Sequence, residues 1–138
     1  MSHGEFGVED SSYHAAGGEE GIRKLTEDFY RVMDSLPEAR DIRNMHPKDL
    51  TVSIDKLALF LCGWLGGPRK YQEKYGPIRI PQRHAHLRIS YPEKTAWLKC
   101  MELALQEQDY SSEFRTYLMK QFEIPAERIR LVCNQSED

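Results

Sequence analysis

The most restrictive feature of the sequence is an apolar run that stops abruptly at two glycines and a proline. From Leu57 to Leu65 every residue except one glycine is aliphatic, aromatic or a thiol. Such a run is too apolar for a helix that keeps one side in water. The two glycines that follow can adopt the left-handed dihedral angles of a helix end, and Pro68 cannot continue a helix. The pattern predicts a largely buried helix over residues 51–65 that ends sharply.

Apolar residues elsewhere also recur at helical spacing, and no segment alternates with period two over a useful length. Ser90 and Glu93 form a capping box at the start of one helix, and Pro125 is expected to break another. The predicted helices cover residues 19–35, 38–45, 51–65, 90–108 and 112–121, with a short continuation after Pro125. The fold class is therefore all-α, with about five substantial helices and short connections.

The length and charge of the chain limit its class. A chain of 138 residues is expected to form one domain. We expect a flexible N-terminal extension over residues 1–16, a helical domain over 17–134 and a polar tail over 135–138. A net charge of −3 argues against nucleic acid as a partner, because binding phosphates needs a basic excess. No apolar run reaches the length of a membrane span, and the N-terminus lacks the layout of a signal peptide, so a cytoplasmic protein is expected.

The three cysteines do not suggest a disulfide framework or a metal site. They are odd in number, widely spaced and form no CxxC motif. Cys62 and Cys100 fall within predicted helices, where a thiol behaves as a small buried hydrophobe.

Histidines and aromatic residues carry the remaining chemical signal, because phosphate-binding, dinucleotide-binding, zinc-protease and serine-hydrolase motifs are all absent. A basic, aromatic loop follows the buried helix, and Pro81 suits the first turn of a short helix that contains His84 and His86. Residues two apart on a helix face different sides, so these two histidines do not bind one metal together. A buried helix opposite a short helix with one inward histidine could hold a flat apolar cofactor that needs an axial base.

Several short segments form one ordered pattern along the chain. They are Phe29-Tyr30, Gly66-Gly67-Pro68 with Tyr71, Arg83-His84, and Ala96-Trp97-Leu98 with Cys100-Met101. In order and spacing this pattern resembles the group II truncated haemoglobins. His84 and Trp97 are 13 positions apart, which is the separation of the proximal histidine and the pocket tryptophan in that group. The resemblance extends from about residue 17 to about residue 122.

The resemblance implies a two-over-two helical sandwich around haem b. Residues 19–35 and 51–65 would form one helix pair, and residues 91–108 and 112–122 the other. His84 matches the proximal iron ligand, while Tyr30 and Trp97 match the pocket residues that donate hydrogen bonds to the bound ligand. The wall and propionate positions match Leu57, Phe60, Tyr71 and Arg83, and Lys70 and Arg79 add charge near the propionates.

Two positions depart from the family pattern or from larger globins. His46 stands where the family often has phenylalanine or tyrosine, and it could either donate a third hydrogen bond to the ligand or bond Tyr30 and redirect it. Ser53 stands at the distal-histidine position of larger globins, and it cannot ligate iron. A sixth internal iron ligand would therefore have to be Tyr30 or His46, and His86 is the alternative to His84 on the proximal side.

The resemblance implies a haem protein that binds O2, NO, CO or peroxide. Two donors aimed at a negatively polarised ligand atom predict tight oxygen binding, which suits redox detoxification or sensing better than delivery. The expected reactions are nitric oxide dioxygenation, peroxidase-like oxidation or reduction of nitrogen oxides, with electrons from a separate reductase. The alternatives are a non-catalytic sensor or carrier, and a haem-free helical interaction module. The chain is expected to be a monomer or a homodimer.

Overall fold

The computed structural model describes residues 9–76 and 90–135, and within these ranges all regular structure is helical. The elements are α1 Ser11–Ala15, α2 Gly18–Ser35, a 3-10 turn Pro37–Ala39, α3 Arg40–Asn44, α4 Thr51–Trp64, α5 Lys70–Tyr75, α6 Tyr91–Gln106 and α7 Ser112–Gln135. The prediction of an all-α fold is confirmed. None of the helices in the described ranges has the length and apolar character needed to cross a bilayer.

The four long helices form two packed pairs. α2 lies against α4, and α6 lies against α7, while α2 also packs on α6 and so joins the pairs. α2 buries an apolar stripe at helical spacing, Ile22, Leu25, Phe29 and Met33, and beside it Thr26, Asp28 and Tyr30. α6 buries Ala96, Cys100, Met101, Ala104 and Leu105 in the same way. The predicted pairing of the helices is therefore confirmed.

The end of α4 follows from its glycines. Gly66 has a φ of +95°, and its N–H donates to the Gly63 carbonyl at 3.0 Å. The Gly67 N–H donates to the Cys62 carbonyl at 2.8 Å. These two bonds form a Schellman motif, which satisfies carbonyls that a helix end would otherwise leave unpaired. The predicted sharp stop is confirmed, although only the first of the two glycines takes the left-handed conformation.

The short helix α1 packs on this glycine turn. The Tyr13 N–H donates to the Leu65 carbonyl at 3.0 Å, and a Cβ added at Gly67 would lie 2.4 Å from the Tyr13 ring. Ser12 and Ala16 are each 1% exposed. The described part of the N-terminal extension, residues 9–16, therefore contributes contacts to the end of α4. The boundaries predicted at residues 17 and 134 stay predictions.

One prediction is confirmed at the start of α6, and another is wrong in the second half of α7. Ser90 and Glu93 form the predicted capping box, in which the Ser90 N–H donates to the Glu93 carboxylate at 2.8 Å. The prediction that Pro125 breaks the last helix is wrong, because α7 continues through it to Gln135. A proline inside a helix costs about 3 kcal/mol, so contacts beyond it must compensate.

Those contacts lie in the turn after the proline. Glu127 accepts hydrogen bonds from Nε and Nη2 of Arg130 at 2.8 and 2.7 Å. It also accepts one at 3.1 Å from Lys94 of α6. The Arg130 guanidinium lies 4.0 Å from the centre of the Tyr91 ring, and Ala126 is buried. Tertiary contacts to α6 thus hold the C-terminal part of α7 in helical form.

A buried carboxylate ties α2 to the segment after α6. Asp28 is 4% exposed and accepts hydrogen bonds from Lys24 at 2.9 Å and from Gln108 at 2.7 Å, and it forms an ion pair with Arg31. Burial opposes the ionisation of this carboxyl, but the hydrogen bonds from Lys24, Gln108 and Arg31 outweigh burial. Together they hold the pKa of Asp28 below its ordinary value.

Asp28→Ala is expected to lower the free energy of unfolding by about 2–3 kcal/mol at pH 7, because it removes the charged one of the two acceptors of the buried Gln108 amide, the other being the Ala104 carbonyl. A carboxyl with a lowered folded-state pKa stabilises the fold above its ordinary pKa of about 3.9, and this contribution is lost as the pH falls below that value. Urea unfolding of wild type and variant at pH 7 and pH 3 should therefore show a smaller difference at pH 3. Glu27→Ala, on an exposed position of α2, is the control. If wild type and Asp28→Ala differed equally in free energy of unfolding at both pH values, the lowered pKa of Asp28 would be contradicted.

Cys62 and Cys100 are free thiols in the core, as predicted. Burial raises the pKa of both, that of Cys100 to about 11. At pH 7 only about one Cys100 thiol in 10⁴ is then ionised, and the thiolate is the reactive form. In a Cys133→Ser variant we expect no reaction with an aromatic disulfide reagent in the native state and two thiols titrated in denaturant. Rapid labelling of the native protein would show that the core opens.

Candidate functional site

Tyr30 is a buried phenol on α2. Its side chain is 7% exposed and its ring lies 5.0 Å from that of Phe29, centroid to centroid. Within the described ranges its hydroxyl makes no hydrogen bond. Burial raises the pKa of Tyr30, so the phenol stays neutral at physiological pH and keeps its proton as a donor. A tyrosine in the core normally uses its hydroxyl in a hydrogen bond, so this hydroxyl suits a ligand in a pocket.

Trp97 supplies a second donor from the facing helix. It lies on α6, is partly buried, and its ring centroid is 5.1 Å from that of Phe29. Its indole N–H forms no hydrogen bond to any residue that the structure describes. Phe29 thus contacts both Tyr30 and Trp97, the two predicted ligand-binding side chains.

His46 lies two residues after α3, beside Tyr30. The two rings have centroids 5.4 Å apart and meet edge to face at 75°. Nδ1 of His46 lies 2.9 Å from the Ile42 carbonyl oxygen, which can only accept a hydrogen bond. Nδ1 therefore carries a proton. In the neutral ring Nε2 is then an acceptor, and it becomes a donor only when the imidazole is protonated.

One face of α4 forms an incompletely covered apolar wall. Its residues are spaced four, three and four apart along the helix and so share a face: Ser53, Leu57, Phe60 and Trp64. All four are partly buried, whereas Ala58 and Leu61 on the other side of the helix are 0% exposed. The apolar side chains of Leu57 and Phe60, left partly exposed in one line, are suited to pack against a flat apolar group, and Trp64 lies beyond them at the last residue of the helix.

A continuous set of aromatic contacts links this wall to the two donors. In order along the set, the residues are Phe60, Trp64, Phe122, Trp97, Phe29, Tyr30 and His46. We call these residues the ring array; successive centroids are 5.0–6.1 Å apart. The array joins all four long helices. It brings together Phe60, Trp97, Tyr30 and His46 from the predicted site.

Three members of the ring array were not predicted as site residues: Phe29, Trp64 and Phe122. Their helical spacing indicated only that they belong to the core. The contact of Phe122 on α7 with both Trp64 and Trp97 depends on how three helices meet, and no local pattern reports that.

The structure describes only the first part of the basic loop that follows α4. Tyr71 is 5% exposed and its ring lies 5.3 Å from that of Tyr75. The Lys70 ammonium lies 2.8 Å from the Glu19 carboxylate of α2, so its charge already has a partner outside the ring array. Arg79, Arg83, His84 and His86 lie outside the described residues.

Asp55 of α4 is a charged centre that no local sequence pattern indicates. Its carboxylate accepts hydrogen bonds from Lys74 at 2.7 Å, from Tyr75 at 2.5 Å and from Arg23 at 2.9 Å. The bonds from Lys74 and Tyr75, with that from Arg23, hold the pKa of Asp55 well below its ordinary range. These contacts fasten α5 to α4 and α2 at the point where the chain leaves for His84.

Comparison with known proteins agrees with this architecture. A family model described as bacterial-like globin matches residues 11–130. The chain belongs to the bacterial-like globins. Among characterised globins, Group 2 truncated hemoglobin YjbI of Bacillus subtilis (strain 168) is 34% identical over 124 residues, which are 90% of this chain and 89% of that protein.

Solved structures place this globin among the group II truncated haemoglobins. The group II 2-on-2 haemoglobin from the plant pathogen Agrobacterium tumefaciens is 37% identical, with a TM-score of 0.81 over 86% of this chain and 92% of that one. The truncated oxygen-avid haemoglobin from Bacillus subtilis is 32% identical, with a TM-score of 0.77 over 86% of this chain and 97% of that one. The predicted two-over-two globin fold is thereby confirmed.

Membership of the globin family implies that the chain binds haem and, through it, diatomic ligands. The described residues fit such a group. The α4 wall offers partly exposed apolar side chains to a flat macrocycle, and the Tyr30 hydroxyl and the Trp97 indole offer donors that no described residue uses. Apolar walls with a few well-placed donors are what a cofactor pocket requires.

Proposed function

We propose that this globin binds haem b through His84 and oxidises nitric oxide with dioxygen to nitrate, with reduction of peroxide as a second activity. One observation supports this most strongly: two neutral donors, Tyr30 and Trp97, contact the same buried ring and have no hydrogen-bond partner in the described ranges. The remaining predicted contacts, Leu57 and Phe60 to the macrocycle and Tyr71, Arg83, Arg79 and Lys70 near its propionates, are part of the proposal.

The residues of the pocket hold and orient the ligand. Haem, when bound, supplies an iron that takes up diatomic molecules and exchanges electrons with them. The Tyr30 hydroxyl and the Trp97 indole N–H donate hydrogen bonds to the negatively polarised outer atom of the ligand. Each such bond is worth about 1.5–3 kcal/mol when the acceptor carries charge, and both are preorganised in a pocket with little water.

Tight binding favours conversion of the ligand over its delivery. A carrier must release dioxygen readily, whereas two donors slow its release. A similar protein, the haemoglobin from Bacillus subtilis, is described as oxygen-avid. We extend that property to this chain on the strength of its two donors, and we assign the supply of electrons to a separate reductase.

His46 modulates Tyr30 in this proposal. Because Nδ1 of His46 donates to the Ile42 carbonyl, the neutral imidazole presents an acceptor at Nε2. A neutral His46 therefore cannot donate to the ligand through Nε2. It attracts the adjacent Tyr30 hydroxyl instead and weakens the hydrogen bond from Tyr30 to the ligand. Of the two roles open at the level of sequence, the redirection of Tyr30 is the one that this geometry favours.

His46→Phe is expected to slow dioxygen dissociation at pH 8 by about two- to tenfold, because Tyr30 then donates to the ligand alone. Stopped-flow displacement of dioxygen by carbon monoxide measures the rate. His14→Phe, which changes an exposed histidine that pairs with Asp10, is the control. Faster dissociation in His46→Phe would instead identify His46 as a third donor and refute the proposed role.

The proposed reaction is tested by rapid mixing. Haem-loaded protein, reduced and equilibrated with air, is mixed with one equivalent of nitric oxide while the Soret band and nitrate are followed. We expect the oxygenated protein to be converted completely as fast as the solutions mix, with one nitrate formed per haem. Slow reaction, or nitrate well below one equivalent, would refute the dioxygenase function and favour a sensor or carrier with the same pocket.

A further inference from the structure

The ring array reaches beyond the two donors to a second tryptophan. Trp97 and Trp64 lie on different helices, and both contact the ring of Phe122, at centroid distances of 5.7 and 5.0 Å. Trp64 also stacks on Phe60, with an interplanar angle of 21°, and it is partly buried near the end of α4. Neither indole N–H bonds to a residue in the described ranges. Electron tunnelling is fast across rings in contact, and indoles are among the side chains most readily oxidised by one electron.

We propose that Trp97, Phe122 and Trp64 form an electron relay that lets peroxide in the pocket oxidise small phenols bound outside it, next to Trp64. The inference rests on the proposed haem site and adds to it a second site for one-electron donors. It assigns to Trp64 a role that neither its sequence position nor its family resemblance indicated.

The electron balance is simple. Hydrogen peroxide takes two electrons and two protons and yields two waters. Each electron leaves Trp97 as a one-electron oxidation of the indole, and Trp64 then reduces Trp97 across Phe122. The oxidised Trp64 releases its indole proton to water, and a phenol restores it by giving up one electron and one proton. Two such cycles convert one peroxide and two phenols into two waters and two phenoxyl radicals.

The other end of the ring array is a poor terminus for oxidation. Tyr30 contacts Phe29 and so is also connected to Trp97. A phenol that loses an electron must also lose its proton, and Tyr30, which is 7% exposed, is too buried for a phenol outside the pocket to return both. An indole has no such requirement, because it persists as a radical cation until water takes its proton.

Spin trapping locates the radicals. Haem-loaded wild type, Trp64→Phe, Trp97→Phe and Phe122→Leu are treated with one equivalent of hydrogen peroxide and a nitroso spin trap, then digested for mass spectrometry. We expect the main adduct of the wild type on Trp64. Trp97→Phe and Phe122→Leu should lower that adduct about tenfold or more although Trp64 is intact, which corresponds to about 1.4 kcal/mol in the barrier. Trp64→Phe should move the adduct to Trp97.

Tyr91 provides the internal control, because it is 61% exposed and lies outside the ring array. Labelling of Tyr91 as strong as that of Trp64 would show that diffusing radicals, not the relay, mark the surface. A normal Soret change on adding peroxide without a Trp64 adduct overturns the relay alone. An absent Soret change overturns the relay together with the proposed peroxide activity, and the nitric oxide assay then decides the remainder of the proposed function.

Discussion

Replacing both Tyr30 and Trp97 by phenylalanine is expected to accelerate dioxygen dissociation from the reduced, haem-loaded protein about 100-fold or more. Each substitution removes one donor and leaves the aromatic ring in place. Two hydrogen bonds to a negatively polarised atom are together worth about 3 kcal/mol or more, and each 1.36 kcal/mol changes a rate tenfold. Each single variant should show part of the increase in rate. The two effects are not expected to add, because both donors bond to the same ligand atom.

The measurement is displacement of dioxygen by carbon monoxide in a stopped-flow instrument. Tyr110→Phe is the matched control, since its hydroxyl donates to the Ala16 carbonyl at 2.9 Å and its loss leaves the ring array unchanged. The control should dissociate at the wild-type rate. If the double variant also released dioxygen within about twofold of wild type, the two residues would not hold the ligand.

Phe122→Ala is expected to lower the free energy of unfolding by about 3–5 kcal/mol, because it empties a buried site between helices. The Phe122 side chain is 2% exposed and contacts both Trp64 of α4 and Trp97 of α6. Loss of its ring leaves a cavity lined by two indoles. This cavity cannot collapse unless a helix moves.

Chemical unfolding of the two proteins at equal haem loading gives this difference. Ile124→Ala, two residues along α7 and 52% exposed, is the control and should cost less than about 0.5 kcal/mol. If Phe122→Ala lowered the free energy of unfolding only slightly, the junction of the three helices would be less tightly packed than the ring distances indicate.

The helices and their order were predictable because the periodicity of apolar residues is local. The buried stripe of α2, the capping box at Ser90 and the stop at Gly66 each follow from a few neighbouring residues, and the structure confirms all three. Pro125 shows the limit of such reasoning. Its cost to a helix is local, but the contact of Glu127 with Lys94 of α6, which helps to offset the cost, is tertiary.

The candidate site also has features that the sequence predicts and features that depend on tertiary contacts. Tyr30, Trp97 and His46 were identified by their resemblance to family positions, and the structure connects them through aromatic contacts. The tautomer of His46 could not be predicted, because it depends on a carbonyl of the preceding helix. The role of Lys70 near the propionates stays a prediction, and its bond to Glu19 is a competing contact that the sequence did not reveal.

The central claim is that this globin holds haem through His84, and the absorption spectrum of the purified protein tests it most directly. We would record the ferric and the dithionite-reduced spectra of wild type, His84→Ala and His86→Ala after loading with haem. We expect a Soret band in wild type that His86→Ala preserves and His84→Ala weakens or shifts. An unchanged spectrum in His84→Ala would contradict the assignment of the ligand, and a wild type without a Soret band would contradict the haem site itself.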